Sequence, residues 1–201
     1  MNDNTFKLRN GVKIKIITEP YCGWCSKPVS DNYRKCVDCN IQHPLIKIHA
    51  AGIYLLKDKK DPASENYCRI YPLNRQIWLL KGSLLGAYKA ADNLGECIGY
   101  LIGCSYQYLK DFSLIVAAPP SDPNRGFNQA ALLAQNISKR ISIPFSDELY
   151  KKRITPPQRL TPSEQKEENV RDKYGCKRRI DGERVLIIDD ICTTRNTCCV
   201  D

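Results

Sequence analysis

Two adjacent acids, Asp189 and Asp190, directly follow a short apolar run at residues 185–188 in this chain of 201 residues. The run reads Val-Leu-Ile-Ile and is typical of a buried parallel strand. In open α/β sheets, ligands bind beyond the carboxyl ends of the strands, where a turn exposes backbone N–H groups. Acids there can accept hydrogen bonds from sugar hydroxyls, and the turn that follows can hold a phosphate through Thr193, Thr194 and Thr197. The pattern favours a sugar phosphate ligand over its alternative, an ordinary buried strand with an acidic end.

Four cysteines form a second group, and their spacing is typical of metal ligands. Two CxxC pairs, separated by ten residues, supply four thiolates in the arrangement of a zinc ribbon with two knuckles: Cys22, Cys25, Cys36 and Cys39. Four sulfurs leave no coordination position for water, so the predicted zinc is structural. The alternatives are a redox CxxC pair and chance clustering, and neither requires the second pair.

A second strand, loop and helix precede the acidic strand in the chain. Residues 113–119 form an apolar run that ends in proline, and Asn128 to Arg140 shows apolar residues at helical spacing. The loop between them contains Arg125. The positive end of the following helix and Arg125 together predict an anion site.

Residues 75–109 show two helical patterns that predict core-facing helices. The first pattern places Ile77, Leu80, Leu84 and Tyr88 on one face, and the second does so for Leu94, Ile98, Leu101 and Ile102. Residues 150–184 are polar and proline-containing, which predicts a surface loop; such a loop can also order over a bound ligand as a lid.

The composition of the chain limits the classes of binding partner and the cellular compartment that we expect. The net charge is +9, which suits phosphate or nucleic-acid partners, although a solvated basic face is the plainer interpretation. No apolar stretch is long enough to predict a membrane span, and no secretory signal begins the chain. The cysteine count of 11 is odd, and we expect reduced thiols in the cytoplasm.

The segment from Val185 to Thr197 resembles the phosphoribosyl diphosphate (PRPP) signature of type I phosphoribosyltransferases. That signature is an apolar run, two acids, a spacer and Thr-Thr-Gly-x-Thr. Arg195 stands where those proteins have Gly. We expect it to weaken the phosphate site, because a β-carbon restricts positive φ. The opposing hypothesis is that its guanidinium adds a bond to the phosphate.

Three further features point to one particular family of phosphoribosyltransferase-like proteins. The cysteine quartet, the Arg-Gly-Phe-Asn-Gln run at 125–129, and a basic segment with Arg153, Thr155, Gln158, Asn169 and Val170 resemble the ComF (competence protein F) family. Lys166 and Tyr174 depart from that family's Arg and Phe. The resemblance covers Cys22 to Thr197, and it implies a phosphoribosyltransferase-like protein with a zinc module at its N-terminus.

The fold expected from this resemblance is α/β. Its parallel sheet is flanked by helices in a type I phosphoribosyltransferase-like domain at 51–201, with a small zinc ribbon at 1–50. Because a further helix and strand are expected after Asp201, we expect the domain to be truncated at its C-terminus.

The function implied is a phosphoribosyltransferase that binds PRPP and Mg²⁺, with an unidentified acceptor. Asp189 and Asp190 would serve the ribose and the reacting centre. The other implied PRPP-binding residues are Thr193, Thr194, Arg195, Asn196, Thr197, Arg125 and Arg153.

The alternative function is non-catalytic. The zinc ribbon and the basic loop would bind single-stranded DNA or DNA-processing proteins during DNA uptake, with the transferase fold as a scaffold. Three aromatic residues of the ribbon could stack on bases: Tyr21, Trp24 and Tyr33.

Overall fold

The structure is a computed structural model, and it describes residues 5–16, 51–52, 71–104, 107–120, 122, 124–152 and 174–191. The chain divides into two compact units, Met1–Gln107 and Tyr108–Asp201. The predicted boundary near residue 50 lies next to segments outside the described residues and stays a prediction.

The first unit begins with a β-hairpin that was not predicted from the sequence. Strands β1 (Thr5–Lys7) and β2 (Lys13–Lys15) pair antiparallel. Gly11 closes the turn at φ +84°, a conformation that suits glycine, and its N–H donates to the Leu8 carbonyl at 2.9 Å. Since side chains alternate along a strand, Ile14 is buried while the flanking lysines are exposed. The hairpin is therefore amphipathic.

Two helices complete the described part of this unit. Helix α1 (Pro72–Lys81) carries proline at its start, where the missing N–H costs nothing. Helix α2 (Leu84–Cys104) packs against α1. The Asn93 side chain donates to Gln76 Oε1 at 3.1 Å, so the buried Gln76 amide has a partner on the neighbouring helix. This bond fixes how the two helices face each other.

The prediction that the first helical pattern forms one buried face is correct for only two of its four residues. Ile77 and Leu80 are buried as expected, but Leu84 and Tyr88 are exposed. The reason is a break at Gly82, where α1 ends and after which α2 begins with a new phase. The stripe of α1 therefore does not continue into α2.

The second unit is built on two parallel strands. Strand β3 (Leu114–Ala117) pairs in parallel with a strand that we number β6 (Val185–Ile188), so that Ala117 lies opposite Ile188. All four β3 residues are buried. Both strands fall within the apolar runs that the sequence predicts to be strands. Their predicted burial is confirmed for β3, whereas in β6 only Ile188 is buried and Ile187 is exposed.

Helix α3 (Gln129–Ile141) follows β3 and packs on both parallel strands. Its predicted apolar face is confirmed, with Ala130, Leu133, Ala134 and Ile137 buried. After the helix, the chain returns along the far side of β3, where Phe145 forms a parallel bridge with Ile115. Three parallel segments thus lie side by side, with β3 in the middle.

An antiparallel ribbon extends from this unit. Strands β4 (Leu149–Lys151) and β5 (Tyr174–Cys176) pair with Tyr150 opposite Gly175. A β-carbon on Gly175 would lie 2.6 Å from Tyr150 Cζ, so the tyrosine ring occupies the space that a side chain would need. Both strands of the ribbon overlap residues 150–184, which the sequence predicts to be a surface loop that can also act as a lid.

The architecture is thus mixed helix and strand, with small sheets and a two-stranded parallel pair. Within the described ranges, no helix is both long enough and apolar enough to cross a membrane.

Candidate functional site

The backbone of Ala118 joins three elements at the carboxyl edge of the parallel strands. Its N–H donates to the Ile188 carbonyl at 2.9 Å, immediately before Asp189. Its own carbonyl accepts a hydrogen bond from Asn128 Nδ2 at 3.0 Å. Asn128 is also the N-cap of α3, because its Oδ1 accepts from the Ala130 N–H at 3.0 Å. The end of β3, the end of β6 and the start of α3 are therefore tied together by two hydrogen bonds.

The two acids lie where β6 ends, and both are half-buried. Asp189 Oδ1 accepts from the N–H of Asp190 at 2.8 Å, which fixes the orientation of the first carboxylate. Because Ile188 is buried and paired with Ala117, the strand carries the acids to the same edge as the α3 N-terminus. Two carboxylates next to the positive end of a helix can hold hydroxyls and a charged group at one place.

The loop before α3 contains Arg125, and the first residue of the helix is Gln129. Arg125 lies over the Phe127 ring, with its guanidinium carbon 6.0 Å from the ring centroid. Gln129 is buried, and its Oε1 has no hydrogen-bond partner in the described part of the chain. A β-carbon on Gly126 would meet nothing within 4 Å, so the described structure leaves space beside this loop.

Asn128 and Gln129 were not assigned roles from the sequence. Their signal was present, since both belong to the Arg-Gly-Phe-Asn-Gln run at 125–129. A cap residue and a buried glutamine have no distinctive spacing, so only their positions in the fold show what they contact.

Glu148 anchors the ribbon to the central strand. Its carboxylate accepts from the Ser146 hydroxyl at 2.6 Å and from Arg178 Nε at 3.0 Å. Ser146 is in turn fixed to β3, because its N–H donates to the Ile115 carbonyl at 3.0 Å. Arg178 also pairs with Glu183 at 3.0 Å. Through these bonds the start of β4 and the residues after β5 are held against the sheet.

Because of these donors, we expect Glu148 to make the stability of the fold sensitive to acid. The Ser146 hydroxyl and then the Arg178 guanidinium hold the pKa of Glu148 below its ordinary value of 4.5. A group with a depressed pKa in the folded state stabilises the fold above its unfolded pKa, and that stability is lost as the pH falls through the folded pKa. We therefore expect the free energy of unfolding to decline below pH 4.5, and Glu148→Gln to reduce that decline.

Urea unfolding at a series of pH values between neutral and about pH 3 measures this effect. Asp147→Asn is the matched control, because Asp147 pairs with Lys177 at the exposed surface. The prediction is wrong if the glutamine variant and the wild type lose stability in parallel as the pH falls.

The structure describes only some of the predicted site residues. It brings Asp189, Asp190 and the loop of Arg125 to one edge. The zinc ligands and the remaining PRPP-binding residues lie outside the described residues: Cys22, Cys25, Cys36, Cys39, Arg153, Thr193, Thr194, Arg195, Asn196 and Thr197. Within the ranges described, no group of three or more His, Cys, Asp or Glu side chains is placed to hold a metal ion.

Comparison with known proteins agrees with the motif resemblance. No family model and no solved structure matches the chain. The chain is 25% identical over 198 residues to Competence protein F of Haemophilus influenzae. That match covers 94% of this chain and 80% of the relative. The chain is therefore similar to Competence protein F over nearly its whole length, in agreement with the resemblance to the ComF family that its motifs carry.

Proposed function

We propose that this chain is a ComF-like phosphoribosyltransferase that binds PRPP with Mg²⁺ at the carboxyl edge of β3 and β6. The observation that carries the proposal is the convergence at Ala118, which ties the acid pair to the N-terminus of α3. An acid pair suits ribose hydroxyls, and a helix N-terminus suits phosphate. The likeness to Competence protein F supports a role in competence.

In this proposal each group of residues serves one part of PRPP. Asp189 and Asp190 accept hydrogen bonds from the ribose hydroxyls and stabilise positive charge that develops on the ribose as diphosphate leaves. Arg125, with Arg153, neutralises the diphosphate. The 5-phosphate is held by residues that follow β6 in the sequence: Thr193, Thr194, Arg195, Asn196 and Thr197.

Mg²⁺ fits the donors proposed for it. It prefers oxygen ligands and usually binds through one or two carboxylates together with substrate phosphates, and the acid pair is of that type. When bound with PRPP, it would neutralise charge on the diphosphate. The zinc ribbon at 1–50 is proposed as a structural module that takes no part in this chemistry.

Arg125 offers the test of the proposed site. We expect Arg125→Gln to weaken PRPP binding roughly tenfold or more, because a hydrogen bond to a charged group contributes about 1.5–3 kcal/mol. Arg179→Gln is the matched control, since Arg179 is exposed in the same unit and the change in charge is identical. Titration of both variants with PRPP and Mg²⁺ decides between them. Equal affinity for the two variants would remove Arg125 from the site.

A second candidate function is non-catalytic binding of single-stranded DNA during DNA uptake. The outer face of the β1–β2 hairpin favours it, because Lys7 lies directly opposite Lys13 and both are exposed. Like charges facing each other across strands destabilise a hairpin unless an anion lies between them. The plainer alternative is that the lysines protect the strand edges from aggregation.

The salt dependence of DNA binding separates these two roles. If the hairpin contacts phosphates, Lys7→Gln with Lys13→Gln reduces the slope of log K against log salt by about 1.4, since each contact to a single strand contributes about 0.7. The control is Lys110→Gln with Lys139→Gln, which removes the same charge from two other exposed positions. Fluorescence anisotropy of a labelled oligothymidylate gives the slopes. Equal slopes for both double variants would assign the hairpin lysines to edge protection.

A further inference from the structure

Five large apolar side chains are exposed around the turn between α1 and α2. We call this cluster the apolar corner, and it consists of Trp78, Leu79, Leu84, Leu85 and Tyr88. Soluble proteins seldom expose large apolar side chains in a contiguous group, and such groups mark interaction surfaces. The exposure of these five side chains therefore suggests that the corner is an interaction surface.

The corner is contiguous across the two helices. Leu79 Cδ2, on α1, lies 3.7 Å from the position that a β-carbon on Gly86 would take in α2. Within α2, Tyr88 is four residues after Leu84 and three after Leu85, so the three side chains are neighbours on the helix surface.

The first turn of α2 projects from the surface. Leu84 is 48% exposed and Leu85 is 69% exposed. Consecutive residues of a helix point about 100° apart, so two adjacent exposed leucines cannot both lie along the wall of a groove. This geometry suits insertion into a soft apolar layer better than reception of a partner helix.

Positive charge predominates around the corner. Residues 72–92 contain Arg75, Lys81 and Lys89 and a single acid, Asp92. Arg75 is four residues before Leu79, and Lys89 is four residues after Leu85, so both lie beside the corner, as does Asp92, four residues after Tyr88. The N-terminus of α2 adds positive potential, and its first turn contains no acid that would offset it. A second copy would bring net positive charge against net positive charge, whereas an anionic surface is complementary.

We propose that the apolar corner docks on the surface of a membrane that contains anionic phospholipids. Leu84 and Leu85 enter the boundary between headgroups and acyl chains, as apolar residues of interfacial helices do. Trp78 and Tyr88 suit that boundary because each ring has an apolar body and a polar edge. Arg75 and Lys89 contact the phosphate headgroups. The attachment is peripheral, and it is independent of the PRPP proposal.

Sedimentation of the full chain with vesicles tests the proposal. We expect binding to phosphatidylcholine vesicles that contain phosphatidylglycerol, and much weaker binding to phosphatidylcholine alone. Leu84→Gln with Leu85→Gln reduces the partition coefficient by roughly tenfold or more for each leucine. Lys89→Gln reduces it roughly fivefold at low salt.

Matched controls come from the second unit. Ile187 is 54% exposed, so Ile187→Gln makes the same apolar-to-polar change at another exposed position, and Lys139→Gln removes one exposed charge. Both controls retain wild-type binding if the corner is the docking surface, and thermal melts of every variant verify folding.

Three results would overturn the proposal. They are no sedimentation of the wild type with anionic vesicles, equal losses in the corner and control variants, and equal binding to neutral vesicles. A wild-type dimer that the leucine variant abolishes, seen by analytical ultracentrifugation without vesicles, would instead identify a second copy as the occupant.

Discussion

Asp189→Asn combined with Asp190→Asn is expected to abolish PRPP binding and leave the fold intact. Two carboxylates that each bind a ribose hydroxyl contribute about 3–6 kcal/mol together, or a loss of affinity of at least about a hundredfold. The fold is retained because asparagine keeps the side-chain oxygen that accepts from the N–H of residue 190. Titration with PRPP and Mg²⁺ measures the loss, and urea unfolding measures the stability.

The control for this variant changes the same charge in the same unit. Asp147→Asn with Asp181→Asn removes two acids whose side chains are more than half exposed and which pair with Lys177 and Arg179. These surface pairs contribute little to stability. If the control weakens PRPP binding as strongly as the acid-pair variant, net charge rather than the ribose contact explains the effect.

Removal of the proposed zinc is expected to unfold the N-terminal module. Structural zinc contributes about 10–16 kcal/mol in small zinc modules, more than a short segment gains from burial of its own side chains. We predict one zinc ion per chain, held by Cys22, Cys25, Cys36 and Cys39. Elemental analysis of protein purified without added metal measures the stoichiometry.

Thiol alkylation gives an independent measurement of the same site. The four ligands should resist alkylation until a chelator removes the metal, while the exposed Cys104 and Cys176 react at once. Cys104→Ser should leave the zinc content unchanged. A zinc content near zero, with all four thiols open to alkylation, would contradict the prediction and favour a redox pair or chance clustering.

Long apolar runs made much of the second unit predictable. Runs of four consecutive apolar residues predicted the strands Leu114–Ala117 and Val185–Ile188, and of the two only Leu114–Ala117 is buried throughout. Helix α3 was predictable from the helical spacing of its apolar residues. The carboxyl ends of parallel strands lie at the same edge of a sheet. The position of the acid pair at that edge was therefore predictable from the apolar run that precedes it.

Short elements and helix ends were not predictable in the same way. Each strand of the ribbon has three residues, and Tyr150 pairs with Gly175, which is far from it in the sequence, so no local periodicity marks them. The hairpin left a weak signal in Asn10-Gly11, a common turn pair, followed by alternating lysine and isoleucine. Leu84 and Tyr88 were misplaced because a stripe of apolar residues does not show where Gly82 interrupts a helix.

Isothermal titration calorimetry of the full chain with PRPP and Mg²⁺ tests the central claim most directly. The proposed site predicts one binding event per chain that depends on Mg²⁺ and is absent from the Asp189→Asn, Asp190→Asn variant. Folded protein that shows no saturable binding of PRPP in the presence of Mg²⁺ would contradict it. Binding of equal affinity in the wild type and the acid-pair variant would contradict it as well, because the ligand would then lie away from the carboxyl edge of β6.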